Sequence, residues 1–324
     1  MMKNNLKGSV MLVIATVIWG SAFVFQEEAA EYIGSFTLNC LRSVVGAAVL
    51  IPVVLIMKTL RQKKTGIAEK LLTKQSIFGG ICCGVALAVA ANLQQIGIIF
   101  NAELSEGDSG KAGFITAMYI IFVPVVAVFG GKRLRFSVIA AVLIAVLGLY
   151  FISVKDGFTV AVGDVLILLC AIAFTGHIMV IDHFTAKADG VVLSLIQFVT
   201  AAILSGVLMF VFDGDTLSVS NITSAAIPIL FCGVMSSGVA YTLQIVGQKY
   251  SEATVASLIM SLESLFAMVA ACIFYSKLPT LREGLGCVLM LIAIFTVETP
   301  YADRLFRKVF KKRVSDAEKI NETV

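Results

Sequence analysis

The sequence predicts an all-α integral membrane protein: ten transmembrane helices in a five-plus-five inverted repeat. Three observations carry this: an apolar excess, a regular alternation of apolar stretches with short polar connectors, and a polar motif that recurs at a fixed offset. Of 324 residues, 59% are hydrophobic and only 14% charged, with a mean hydropathy of +0.96. Soluble domains carry roughly 25% charged residues, so this chain cannot solvate a globular surface. A soluble two-domain enzyme, a disordered chain, a disulfide scaffold and a zinc module are excluded. The seven cysteines lie inside apolar segments with no C-x-x-C pair and no histidine at zinc-binding spacing, and read as small core residues.

Ten stretches approach the ~20 residues that span a bilayer: 8–27, 36–57, 76–99, 112–130, 136–154, 163–182, 191–212, 224–246, 254–275 and 283–299. The first follows Lys3 and Lys7 like a signal peptide, but it is long and lacks a small-x-small cleavage site, so it is expected to be retained. Twenty of the 25 Lys and Arg fall in alternate connectors and the two ends. Lys111, Lys155, Lys277 and Arg282 lie on the opposite side, and Arg42 within the second stretch. By the positive-inside rule this predicts both termini in the cytoplasm of a bacterial-type inner membrane. The basic tail 301–324 is expected either to lie against anionic headgroups or merely to solubilise the end.

The halves echo each other. Ala90-Ala91-Asn92-Leu93-Gln94-Gln95-Ile96-Gly97 and Ala240-Tyr241-Thr242-Leu243-Gln244-Ile245-Val246-Gly247 both read A-x-x-L-Q-x-x-G, 150 residues apart, and Trp19-Gly20-Ser21 matches Thr175-Gly176-His177. Five spans per copy force the second copy to cross in the opposite sense, a frequent transporter design. The expected units are 1–155, 160–300 and the tail. The longer connector at 100–111 in the first half is expected to be a surface loop, with an external lid as the alternative.

Trp19-Gly20-Ser21, Arg42, Lys111-Ala112-Gly113-Phe114-Ile115-Thr116 leading to Pro124, and Ser237-Gly238-Val239-Ala240-Tyr241 together resemble the drug/metabolite transporter superfamily, EamA type, over residues 8–299. The resemblance implies ten helices, an inverted repeat, and export or exchange of small metabolites such as amino acids. The chain departs from that pattern at Gly131-Lys132-Arg133-Leu134 and at Leu262-Glu263-Ser264, where the family often has Gly-Glu and Leu-Glu-Pro.

Ionisable groups at membrane depth call for a reason. Glu263 falls near the midplane of the ninth stretch, opposite a stripe of Thr254, Ser257, Ser261 and Ser264, so that helix is expected to be covered on both sides. Its carboxyl either binds a substrate amine, carries a proton, or serves as a hydrogen-bonded structural group. Arg42 either snorkels to headgroups or pairs with an acid or a substrate carboxylate; Glu27, Glu28 and Glu31 stand at the same level. Gln94 and Gln244, one per copy, share stripes with small residues, while Asn92 and Gln95 face elsewhere. Trp19, Tyr119, Tyr241 and His177 lie well inside their spans, as packing or as a binding layer. His177 could titrate near neutral pH and join Glu263 in proton coupling. Asp182-His183 reads as a solvated helix end.

Enzyme signals fail. Gly107-Asp108-Ser109-Gly110-Lys111 lacks the first Gly and the final Ser/Thr of a phosphate loop, and no H-E-x-x-H or G-x-S-x-G occurs. His177 and His183 are six apart and cannot share a metal in the usual way, and the basic connectors lack the interleaved aromatics of nucleic-acid binders. The expectation is therefore a non-enzymatic, cofactor-free and metal-free secondary transporter in the lipid bilayer. It would move a small polar metabolite by alternating access, with a proton or counter-solute as drive and no nucleic-acid partner. The expected binding set is Trp19, Gln94, Tyr119, His177, Tyr241, Gln244 and Glu263. A sensor without transport and an intramembrane enzyme are the alternatives; oligomeric state is not legible.

Overall fold

The computed structural model describes residues 2–65, 71–102, 109–132, 134–153, 161–274 and 278–298. Among them there are helices and connectors but no strand. The helices are α1 (Met2–Ala30), α2 (Ser35–Thr65), α3 (Lys74–Ala102), α4 (Ser109–Thr116), α5 (Tyr119–Phe129), α6 (Phe136–Ser153), α7 (Val162–Phe184), α8 (Gly190–Phe212), α9 (Val219–Ser224) and α10 (Ala226–Leu230). A π-helical segment, Phe231–Tyr241, follows, and then α11 (Thr242–Gln248), α12 (Ala253–Met260), α13 (Leu262–Phe274) and α14 (Leu281–Glu298).

Each apolar stretch of the sequence coincides with one of these helices or with a run of them. Among the described residues eight are long and apolar enough to cross a membrane, counting 111–129, 226–248 and 253–274 as single broken spans. Phe136–Ile152 is apolar but shorter. Helix α14 carries Arg282, Glu283 and Glu298 within its 18 residues. The outer surface is crowded with exposed side chains such as Phe129, Phe210, Ile273 and Phe295, which suits lipid hydrocarbon. This is a multi-pass membrane protein.

Local chemistry fixes the helix ends. Thr280 and Glu283 form a reciprocal cap on α14, Thr280 N donating to Oε2 (2.6 Å) and Glu283 N to Thr280 Oγ1 (3.2 Å). Asp189 Oδ1 accepts from Val191 N at the start of α8, and Thr73 Oγ1 from Ser76 N at the start of α3. Asp213, at the end of α8, accepts from Thr37 N (2.6 Å) and Thr37 Oγ1 (2.9 Å), capping α2 from across the bundle. At the other end of the same pair Arg61 meets Asp189 at 2.6 Å.

Helix contacts come in matched sets. The end of α3 packs against the start of α7, where Gly97 faces Gly163. The start of α1 packs against the end of α11, where Gly8 faces Gly247. A Cβ on Gly97 would stand 2.7 Å from Gly163 O, and one on Gly8 2.8 Å from Gly247 O, so these backbones touch only because side chains are missing. Helix α2 pairs with α8 and α6 with α14, each antiparallel by its end contacts (Gly148 lies against Gly286). Helix α1 runs alongside α13, Gly20 resting on Phe266 and Ala267. Near the same end as α1's Gln26, α3 contributes Gln95, whose Nε2 donates to Gln26 O at 3.0 Å.

Two spans break at mid-depth, between α4 and α5 at Ala117-Met118 and between α12 and α13 at Ser261. The breaks meet across the bundle, where Ser264 Oγ donates to Gly113 O at 2.8 Å. Residues Ala253 to Leu265 are buried without exception, so α12 and the first turn of α13, which bears Glu263, are covered on both sides; farther along α13 Val269, Ile273 and Phe274 are exposed, so the expected full covering of this helix stops there. Within the 100–111 connector α3 runs to Ala102 and α4 begins at Ser109; residues 103–108 between them and the tail lie outside the described residues, as do the expectations placed on them.

Candidate functional site

A cavity with about 470 Å³ of empty space opens between α1, α2, α3, α4, α5, α7, the π-helical segment, α11, α12 and α13. Six of the seven residues singled out from sequence line it: Trp19, Gln94, Tyr119, Tyr241, Gln244 and Glu263. The close approach of α1 to α13 at Gly20 brings Trp19 and Glu263 to one space, and the breaks at Ala117-Met118 and Ser261 bring Thr116, Tyr119, Met260 and Glu263 to its wall. Interrupted spans at membrane depth are tolerated where they line such a space.

The polar wall is partly wired. Tyr119 OH donates to Glu263 Oε1 at 3.0 Å, and Gln94 Nε2 donates to Thr116 Oγ1 at 3.0 Å. Two groups are not: Trp19 Nε1 and Gln244 Oε1 are buried with no hydrogen-bond partner among the described residues. Buried polar atoms in native folds are nearly always satisfied, so these two stand on the cavity wall with hydrogen-bonding capacity unused. Trp19 stacks edge-on against Tyr241, ring centroids 4.8 Å apart, forming one apolar face.

Two expectations change. Arg42 does not snorkel: it is 5% exposed and lines the cavity. Its NH1 donates to Gln26 Oε1 (3.1 Å), its NH2 to Ser236 Oγ (2.7 Å) and its Nε to Ser237 Oγ (3.2 Å). Among the described residues no carboxylate, whether Glu27, Glu28 or Glu31, lies within ion-pairing distance of it. The physical reason is the π-helical segment beside α2, whose serines give the guanidinium neutral partners inside the bundle; helices of this rare kind concentrate at functional sites. His177 does not reach the cavity. Fully buried, it bonds Gln197 through Nε2 at 2.9 Å and sits behind Tyr241, centroids 6.0 Å apart.

Other sequence readings fall into place without touching the site. Asn92 bridges Asn39 (3.1 Å) and Ser205 (2.9 Å), and Gln95 bonds the α1 backbone. Asp182 pairs with Lys132 at 2.9 Å and His183 with Lys187 at 2.7 Å at an exposed helix end. Asp164, nearly buried, takes Lys111 Nζ (2.6 Å), Asn101 Nδ2 (3.0 Å) and Ala161 N (2.8 Å). Among the described residues no cluster of three potential metal ligands occurs.

A bundle of membrane-crossing helices around a buried, polar, oppositely charged cavity is the architecture of a membrane transporter. The chain belongs to the EamA-like transporter family, whose model matches it twice, at residues 6–154 and 161–299. An uncharacterized transporter of Archaeoglobus fulgidus is 25% identical over 300 residues, 91% of this chain and 86% of that protein. A protein of known crystal structure superposes over 92% of this chain and 98% of its own, at TM-score 0.71 and 17% identity, a likeness of fold. The family implies a small-molecule substrate and a lipid environment.

Proposed function

We propose that the protein exports a small amino acid or a close relative by alternating access about this cavity. The observation that carries the reading is the joint presence of a buried cation, a buried acid and two unpartnered polar atoms on one wall: Arg42, Glu263, Trp19 Nε1 and Gln244 Oε1. Arg42 keeps guanidinium N–H groups beyond its three bonds and takes the carboxylate, in the bidentate manner arginine favours. Glu263, steadied by Tyr119, takes the ammonium group. Gln94 and Gln244 supply amides, while Trp19 and Tyr241 form the apolar wall. His177 positions Tyr241 from behind.

The mechanism uses ten spans in two inverted five-helix units, 1–155 and 160–300. The matched contacts support this: Gly8 on Gly247 answers Gly163 on Gly97, and the break at Ala117-Met118 answers that at Ser261. The end contacts also support it, since α1 is parallel to α3 while α7 is antiparallel to α3. The 20-to-4 distribution of Lys and Arg favours cytoplasmic termini in a bacterial-type inner membrane. A proton carried by Glu263, or a counter-solute, supplies the drive.

Purified protein in liposomes should exchange labelled small amino acids by saturable counterflow. Absence of counterflow across the amino-acid panel, in protein that folds and shows no ligand-induced thermal shift, would refute the substrate class. Glu263→Gln should sever transport from an imposed pH gradient; a variant that still follows the gradient removes Glu263 as the coupling group.

A further inference from the structure

At the end of the bundle where the span 111–129 finishes and the span 253–274 begins, a recess opens between the α5–α6 connector and the head of α12. It is open to one side, with about 330 Å³ of empty space, its mouth included. Its floor is apolar, Ala127 and Val138, and its walls carry Lys132, Arg135, Glu252 and Thr254.

Three features make these walls receptive to an anion. The first amides of α12 have no acceptor within the helix, and the N-cap residue, Glu252, offers them no side-chain oxygen. Thr254 is 5% exposed and lines the recess, and its Oγ1 makes no hydrogen bond among the described residues. A hydroxyl so placed has a proton to donate and calls for an acceptor. The cations come from the connector. Lys132 Nζ is held by Asp182 at 2.9 Å, whereas Arg135 NH2 stands 3.9 Å from Glu252 Oε2, beyond hydrogen-bond distance. The Glu252 side chain is 71% exposed, so its carboxylate can turn to water when another anion comes to Arg135.

The surroundings say which anion. Val128 and Phe129 at the end of α5, and Phe136 and Ile139 at the start of α6, flank the connector and are exposed, Phe129 by 88%. Basic side chains bordered by exposed hydrocarbon match a phosphate that carries acyl chains. We infer that the recess holds the headgroup of an anionic phospholipid. Its phosphodiester sits on Arg135, the Thr254 hydroxyl and the first amides of α12, and its acyl chains lie along Phe129 and Phe136. A lipid held there joins the ends of the two broken spans that bring Tyr119 and Glu263 to the main cavity. The inference does not depend on what that cavity carries.

The test uses the full chain in detergent micelles, titrated with phosphatidylglycerol or phosphatidylcholine and read by native mass spectrometry. One phosphatidylglycerol should be retained more tightly than phosphatidylcholine. Arg135→Gln, which removes a charged donor, should weaken that retention about tenfold or more, and Thr254→Val about threefold. Glu252→Gln, which removes a competing carboxylate, should strengthen it, a sign that a merely structural role would not produce. Lipid-free thermal unfolding verifies each fold; Thr254→Val should be no less stable than the wild type, because the lost hydroxyl has no partner. Equal retention of the two lipids, or retention unchanged in folded Arg135→Gln and Glu252→Gln, would overturn the inference. So would displacement of phosphatidylglycerol by inorganic phosphate at equal concentration, the mark of a site for the free anion.

Discussion

The glycine contacts allow a prediction whose magnitude and sign both follow from geometry. Alanine at position 97 would place its Cβ 2.5 Å from Ile167 Cγ1 and 2.7 Å from Gly163 O; the second obstacle is backbone of a neighbouring helix and cannot rotate away. Overpacking of this kind costs about 1–3 kcal/mol, and with an immovable carbonyl the upper part of that range applies. Against it stands the intrinsic preference of helices for Ala over Gly, worth about 1 kcal/mol. The net loss is about 1–2 kcal/mol. At the counterpart position, 247, the nearest atoms to a new Cβ are Gly8 O and Leu12 Cγ, both at 3.2 Å. A shift of a few tenths of an ångström relieves that contact, so the propensity gain cancels the cost. Gly97→Ala should therefore lower the denaturation midpoint in detergent micelles, read by far-ultraviolet circular dichroism, whereas Gly247→Ala should stay close to the wild type. Equal stability of Gly97→Ala and wild type, or greater loss in Gly247→Ala, would refute the reasoning.

Truncating one side of a buried charged contact costs about 2–5 kcal/mol, so Arg42→Met should reduce counterflow of carboxylate-bearing substrates by about 30-fold or more while affecting a decarboxylated amine far less; equal losses for both would contradict the carboxylate role. The two aspartates of α7 should separate in thermal unfolding. Asp164→Ala strips three donors of their acceptor at a 4% exposed site and should be clearly destabilising. Asp182→Ala breaks a pair whose lysine is 54% exposed and should cost no more than about 1 kcal/mol.

The positions of the helices were legible because crossing lipid demands about 20 apolar residues whatever the tertiary packing. The stretch read as 191–212 and the helix Gly190–Phe212 differ by one residue. The stretch read as 36–57 fell short of Ser35–Thr65 because the last turns carry Lys58, Arg61, Lys63 and Lys64, which end a hydropathy signal without ending a helix. Six cavity residues were legible as well: Gln94, Gln244 and Glu263 because polar groups at membrane depth are costly against lipid, and Trp19, Tyr119 and Tyr241 because they lie well inside their spans instead of at the interface. Arg42 was ambiguous for a physical reason: its distance from the helix start fits headgroups as well as the interior, and only the partners Gln26, Ser236 and Ser237 decide. His177 carried the same signal as Tyr241, but which side of Tyr241 it occupies depends on Gln197 of another helix. The breaks at Ala117-Met118 and Ser261 and the π-helical segment left no mark in hydropathy, because none of them changes the composition of its span.

If the two halves work as the inverted copies proposed above, the outward-open and inward-open shapes would be equal in energy were the copies identical, since each copy would simply adopt the other's posture. The segment Phe231–Tyr241 is π-helical, whereas its counterpart within Lys74–Ala102 is α-helical throughout. On that reading this difference is one of those that lift the degeneracy: the unladen protein would have a preferred facing, and 1.4 kcal/mol between the two would already hold it there about ten times out of eleven. A carrier that waits on one side presents an empty site to one pool of solute first. The wider turns of one helix would thus bear, on the proposed mechanism, on which compartment loads the protein when neither is in excess.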